Sequence, residues 1–338
     1  MLEFLKKLLV KSPAQVLGAL LDTRSLQEKD SDIKFEELVA EAENVEWVEK
    51  NSLEYRIFPA YSQGQASNCV ACTKAKMQGI HFFLKFGEFI QFSAGHIYKR
   101  RKNKPNAGML ATDAFSIAQE GVTLEVLAPT PKNDVAIDAM KIEEYKVKVG
   151  EVFKSGRPII LPIKDIETVA SVIQKTKKAV MVWFYFTDSE WARKVPAIEN
   201  YGLQVNVPST LRHSVTAVDF TLYNGKKALI IEDSAWFGGI NQRIITEEFY
   251  SARNFFAGYT MSFQFDEIYI KKPRYTGSVA SLQDCLRAEG VFPANVESTG
   301  ILGVITKKAI SDFQGKWGIE RTGSVGPVTG DKLKTLYP

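Results

Sequence analysis

Cysteine and histidine are scarce in this chain, three of each in 338 residues. Three cysteines, of which only Cys69 and Cys72 lie close together, cannot staple a small secreted scaffold, and the pattern fits synthesis in a reducing cytoplasm. His81, His96 and His213 show no paired spacing, so no metal site is expected. Long apolar runs are missing as well: none approaches the roughly 20 residues that a membrane-spanning helix needs. The opening "MLEFLKKLLVKSPAQVLGALLDTR" breaks its apolar stretch at Lys11, Ser12 and Pro13, unlike the uninterrupted centre of a signal peptide, and reads as an amphipathic helix. A strong charge excess is also absent, the net charge being +4. The local basic run "KRRKNK", Lys99 to Lys104, has no interleaved aromatics and reads as a solvated loop, so nucleic acid is not an expected partner.

What remains is an ordinary globular composition, 45% hydrophobic and 24% charged, in a chain long enough for two domains. The clearest seam is "KKPRYTGS", residues 271–278. Ahead of it, helical patterns at Cys69 to Phe86 and Leu110 to Glu120 precede the strand-like runs "KAVMVWFYF", "SVTAVDFTLY", "KALIIEDS" and "GYTMSFQFDEIYI". Helices first and strands later predict an α+β domain over 45–270, preceded by an N-terminal helical extension at 1–44. Beyond the seam, at 279–338, two helical segments each end in glycine and a third closes the chain, which predicts a small all-α domain.

The stretch "QGQASNCVAC" carries the chemistry. A C-x-x-C can be a redox pair, half of a metal site, or one nucleophile beside a bystander. No βαβ unit surrounds it, as a thioredoxin-like site would require, and a metal would need two further ligands. As a nucleophile Cys69 is well placed: with Asn68 as N-cap it is the first helical residue, where the helix dipole and unpaired N–H groups favour a thiolate. Acyl transfer also needs a base, a group to orient that base, and oxyanion donors. "LRHSVTAVDF" puts His213 at the entry of a strand and "ALIIEDSAW" puts Asp233 at the end of the next. A hairpin turning at Asn224-Gly225 would bring the two together. Cys72, one helical turn below Cys69, reads as core, and His81 and His96 as structural or surface residues.

These residues and their order resemble the papain-like cysteine peptidases over Val45 to Ile270. Gln63 stands six residues before Cys69, where the family has its side-chain oxyanion donor, and "AGMLATDAFSIAQEGV" is similar to the glycine-rich segment and the helix after it. The resemblance implies Cys69, His213, Asp233 and Gln63 as catalytic residues and Gly108 as the place where the substrate backbone passes. "IEDSAW" resembles the asparagine-serine-tryptophan motif, with Asp233 in place of asparagine and Trp236 one position late; Trp236 and Trp191 are candidates for lining the substrate cleft. Val70 replaces a tryptophan, the usual disulfides are missing, and residues 1–44 are too short for the family's inhibitory propeptide, although part of them fits a short docking arm.

The segment "SLQDCLRAEGVF" and the following "TGILGVITKKAISDFQGKWGIERTGSVGPVTGDKLKTL" resemble the three-helix peptidoglycan-binding domain. Thr306 is expected to cap the second helix, and Leu282, Leu286, Ile310, Phe313, Trp317 and Leu333 recur at core spacing. Together the two resemblances imply a papain-like fold, a helical half facing an antiparallel β half, with a wall-binding module behind it. The implied function is a cofactor-free cysteine peptidase acting on bacterial cell wall or wall-associated protein, as in a bacterial or phage lytic or virion enzyme. Its partners would be peptidoglycan or cell-wall peptide and, in a particle, other virion proteins. A docking or structural protein built on a peptidase-like scaffold is the alternative.

Overall fold

The computed structural model describes residues 18–20, 33–34 (backbone only), 44–236, 239–256, 258–261, 274–293 and 298–338. The chain separates into two compact units, Met1–Phe265 and Asp266–Pro338. Most of the expected N-terminal helical extension, the strand-like residues 262–270 and the start of the 271–278 seam lie outside the described residues.

In the first unit the elements follow in the order β1 (Ile33–Lys34), α1 (Cys69–Phe86), α2 (Ala94–Lys99), α3 (Ala111–Glu120), α4 (Asp134–Ala139), α5 (Glu144–Glu151), β2 (Pro158–Leu161), α6 (Ile166–Thr176), β3 (Val180–Phe186), α7 (Asp188–Trp191), β4 (Leu211–Tyr223), β5 (Lys226–Glu232), β6 (Gln242–Thr246), α8 (Glu247–Arg253) and β7 (Gly258–Met261). The strands form one sheet in the order β1-β2-β7-β3-β4-β5-β6, antiparallel except for the β1–β2 pair. This is the helices-then-strands arrangement that the sequence predicts.

Strand parity explains why β3 reads as an unbroken apolar run. Met181 and Trp183 point into the core shared with α1, while Val180, Val182, Phe184 and Phe186 point into the core shared with α6 and α8. Strand β5 divides the same way, Ala228 and Ile230 to one side and Leu229 and Ile231 to the other. A sheet covered on both faces has no polar face to alternate with.

Helix α1 lies against this sheet, and every residue from Cys69 to His81 is buried. It stops at Gly87, whose left-handed φ of 79° lets its N–H reach Phe83 O. At its start Asn68 occupies the cap position, but its side chain caps no backbone group; its Oδ1 instead accepts from Cys72 Sγ at 3.6 Å. The basic run is a solvated loop only in part: Lys102 and Lys104 are exposed, but Arg101 is not. Arg101 is buried, paired with Asp138 through both guanidinium nitrogens (2.6 and 3.0 Å) and stacked over Tyr98. Asn103 reaches back to Gly108 O (3.1 Å), so the run anchors the loop that carries Gly108.

The second unit consists of α9 (Val279–Ala288), α10 (Val304–Lys316) and α11 (Pro327–Leu336) around Leu282, Leu286, Ile310, Phe313 and Leu333. Its loops repeat one device. Buried Gln283 donates to Ile301 O and Thr306 Oγ1 and accepts from Gly300 N, and buried Gln314 donates to Ser324 O and Thr329 Oγ1 and accepts from Gly323 N. The segments so pinned, "TGILGVIT" and "TGSVGPVT", share the pattern T-G-x-x-G-x-x-T. Two expectations are corrected here. Gly303, not Thr306, is the cap of α10, Thr306 lying inside the first turn with its hydroxyl on Ile301 O. Trp317 is 37% exposed and bonded to Glu289 rather than in the core, because its place one turn past Phe313 carries it to the rim.

Helix α1 also buries Lys74 completely, with Gln78 Oε1 at 3.4 Å and the Phe115 ring beneath its ammonium. Burial lowers its pKa from 10.5 to about 7. Unfolding therefore takes up a proton between those two values, and wild-type stability climbs with pH across that window. Lys74→Met should raise the thermal unfolding midpoint at pH 7, by about 1 to 3 kcal/mol in stability, with the gain shrinking towards pH 10. A destabilised methionine variant would mean that the ammonium holds the fold together.

Candidate active site

Four separate segments carry the candidate site residues. Helix α1 presents the thiol at its first residue, strands β4 and β5 present His213 and the residue after β5, Asp233, and the loop before α1 presents Gln63. The β4–β5 hairpin sets the geometry: Asn224 and Gly225 both take positive φ (51° and 74°), the twisted two-residue turn that Asn-Gly favours. Its register carries Thr216 opposite Glu232, so that the next residue on β5 arrives beside His213.

His213 Nε2 lies 2.7 Å from Asp233 Oδ1. Cys69 is the second group that favours the charged imidazole, by charge and hydrogen bonding. Burial opposes a charge on the imidazole, but Asp233 and Cys69 together outweigh it and raise its pKa from 6.5 to about 10. Burial likewise opposes the Asp233 carboxylate, and His213, Arg243 and the Ala235 N–H overcome it, holding the carboxyl below the usual range. A basic imidazole between a carboxylate and a thiol can take the thiol proton and hold it as imidazolium.

Cys72 differs from Cys69 in having no such neighbour. It is 2% exposed, and burial pushes its thiol well above the ordinary value. Both cysteines are free thiols, as is Cys285. Among the described residues no cluster of metal-ligating side chains occurs. His96 and His81 are buried, and burial lowers both, His96 to about 4 with its Nδ1 accepting from Thr123 N.

The turn after β5 ties the site together. Asp233 serves His213; Ser234 donates to Gln63 Oε1 (2.8 Å) while its carbonyl accepts from Gln63 N (2.8 Å); Trp236 Nε1 donates to Tyr61 O (2.8 Å). Gln63 Nε2 donates to Ala66 O (2.9 Å), which fixes the amide plane and leaves its second N–H. Trp236 is 41% exposed on the same turn, with φ at 55°.

Trp191 does not line a cleft. It is fully buried, stacked on Phe186 (centroids 4.1 Å apart, 5° between planes), with Nε1 donating to Asp233 Oδ2 at 2.8 Å. Sequence pattern also missed Arg243, buried and 2.6 Å from the same oxygen. Its signal was present: an arginine inside the apolar strand "QRIIT" has to find a buried anion.

Gly18 and Ala19 are buried over the thiol. Ala19 bridges Met109 in parallel, with Met109 N donating to Gly18 O (2.9 Å) and Leu20 N to Met109 O (3.1 Å). A Cβ added at Gly18 would collide with Cys69 Sγ. Residues 18 and 19 therefore cover the Cys69 sulfur and are tied to the backbone at Met109.

The fold that this geometry sits on is papain-like. The structure is similar to xylellain, a cysteine protease from Xylella fastidiosa (14% identity, TM-score 0.58, covering 74% of this chain and 97% of that one). It is also similar to procathepsin B S9 from Trypanosoma congolense (13%, 0.53, 74% and 87%). A third likeness is to the cysteine protease and lectin-like domains of Cwp84, a surface layer associated protein of Clostridium difficile (15%, 0.53, 78% and 60%). In the second unit, residues 276–333 match the peptidoglycan binding domain family PG_binding_1. A comparison with curated proteins by sequence gives no match.

Because the Gly18 contact leaves no room for a side chain, Gly18→Val should push residues 18–20 off the thiol. Alkylation of Cys69 by iodoacetamide should then accelerate about fivefold or more over wild type. An unchanged or slower rate would show that these residues do not limit access to the sulfur.

Proposed function

We propose that the protein is a cysteine peptidase that hydrolyses amide bonds in bacterial cell wall or wall-associated protein, held there by its C-terminal unit. The observation that carries the reading is the buried His213, bonded to Asp233 through Nε2 and with its affinity for a proton raised by both Asp233 and Cys69. In this reading His213 takes the Cys69 proton and the sulfur attacks the amide carbonyl. The second Gln63 N–H and the first-turn N–H groups of α1 hold the oxyanion. Collapse of this intermediate expels the amine, protonated by His213, and leaves a thioester. Water, losing its proton to His213, then releases the acid and restores the thiol. Gly108 and Trp236 line the path of the substrate, and no step draws on a metal or organic cofactor. A lytic or virion enzyme of a bacterium or phage has this combination of a peptidase site and a wall-binding module.

Intact bacterial walls digested with the wild-type chain should release new amino termini, identified by mass spectrometry, that Cys69→Ala does not release. Peptidoglycan stem or bridge fragments would make the protein a wall hydrolase, and protein fragments a wall-tethered protease. If neither appears while both chains bind walls, the protein is a docking component.

Wall contact is expected at a groove of about 340 Å³ on the second unit, lined by Gln314, Ile319, Glu320, Thr322, Pro327 and Val328. Val328 is 67% exposed there, a large apolar surface at the mouth of a polar-based groove. Val328→Asp in the full chain should weaken co-sedimentation with purified peptidoglycan about fivefold or more. Unchanged sedimentation would move the contact elsewhere on the unit.

A further inference from the structure

The proposed mechanism leaves Arg243 without a task, although burying a guanidinium is costly unless something compensates it. Its position is closely fixed. Nε donates to Trp191 O (2.9 Å), Nη1 donates to Ile240 O (2.9 Å) and Asp233 Oδ2 (2.6 Å), and the guanidinium carbon sits 5.0 Å from the Trp191 ring centroid. The two carboxylate oxygens of Asp233 are thereby divided. Oδ2 belongs to Arg243 and Trp191; Oδ1 faces His213 (2.7 Å) and accepts from Ala235 N (2.7 Å).

An amide in this place would offer His213 one oxygen and no net charge. A carboxylate offers two oxygens and a full negative charge, in a site where little water reaches it. Arg243 reduces both differences, since it occupies the second oxygen and supplies the balancing charge. We propose that Arg243 is a positioning residue that acts on His213 through Asp233, the Asp233–Arg243 pair filling the place that a neutral asparagine could fill alone. The catalytic consequence rests on the peptidase reading; the coupling between the three side chains does not.

The other charged groups around the pair do not substitute for Arg243. Cys69 approaches His213 from α1. Lys76 and Glu232, which share with Asp233 the lining of a cavity of about 160 Å³, are paired with each other. Lys194, on the same lining, bonds Gln242 Oε1 (3.0 Å), and burial first and the Arg243 charge second lower its affinity for a proton.

The chain has three histidines, so His213 can be followed by carbon-13 NMR of labelled full-length protein and assigned with a His213→Gln control. Arg243→Gln should raise the His213 midpoint by about one pH unit, because the carboxylate then acts unbalanced, while Arg243→Lys should leave it within about 0.3. Asp233→Asn should lower the midpoint by about two units or more, since it removes the anion and leaves the Arg243 cation behind. Adding Arg243→Gln to Asp233→Asn should bring it back up by about one unit and restore amide hydrolysis about tenfold over Asp233→Asn alone. Should Arg243→Gln fail to fold, comparing Asp233→Asn with the charge-balanced double variant makes the same measurement. Midpoints that ignore residue 243 in both backgrounds would overturn the proposal and leave Arg243 a packing residue. Midpoints that move as stated, in a protein that hydrolyses no amide, would uphold the coupling and remove the peptidase reading.

Discussion

The hydrogen bond between His213 and Asp233 is the constraint around which the first unit is built. Neither residue is near the other in sequence, and the contact exists because the two-residue turn and a one-residue bulge between Ala217 and Asp219 together set the register of β4 on β5. A slip of one residue would turn His213 to the opposite face of the sheet, away from α1. That register is held by the two apolar cores on either side of the hairpin, which bury alternate residues of β5. The same α1-side core includes Cys69, so packing and the candidate site share one set of residues.

Buried ion pairs surround this point on several sides. Arg243 meets Asp233, Lys76 meets Glu232 and Arg253 meets Glu190, all among side chains that are nearly or fully excluded from solvent. Pairs of this kind contribute little net stability, because desolvation offsets most of the attraction. Their effect is geometric: removing one partner leaves a stranded charge, so each pair tolerates only one arrangement of its neighbours. Glu190 also accepts from Glu199 N and so fixes the chain beyond α7, whose last residue, Trp191, holds Asp233 Oδ2. The orientation of His213 is thus supported at two removes from the thiol.

Much of this was legible in the sequence, and the limits have a physical cause. Helix α1 was readable to the residue, and the Asn-Gly turn with its flanking β-branched runs gave the hairpin, because both are encoded by neighbours along the chain. The fold class followed from their order. Residues whose role depends on partners far along the chain were misplaced. Trp191 reads as a candidate for lining the substrate cleft in "TDSEWARK" but is buried by contacts with Phe186, Asp233 and Arg243. Arg101 reads as part of a solvated basic run until Asp138 is folded against it, 37 residues away. Gly18 carries no local signal at all; its importance lies in the missing Cβ where the chain crosses Cys69.

The two units differ in how sequence encodes them, and this follows from size. In the C-terminal unit a core of a few side chains cannot hold three helices alone, so loop hydrogen bonds to Gln283 and Gln314 share the task. Each bond requires a particular glycine or threonine, and the pattern T-G-x-x-G-x-x-T stays visible in the letters. The larger unit has two extensive cores, in which many apolar combinations fill the same volume. Its resemblance to solved papain-like structures accordingly survives at 13–15% identity, and what remains readable is the order of Gln63, Cys69 and His213 along the chain. Asp233 is the informative exception. A charge there is tolerable only with a counter-charge within reach, so the departure at residue 233 and the arginine at 243 are two halves of one solution.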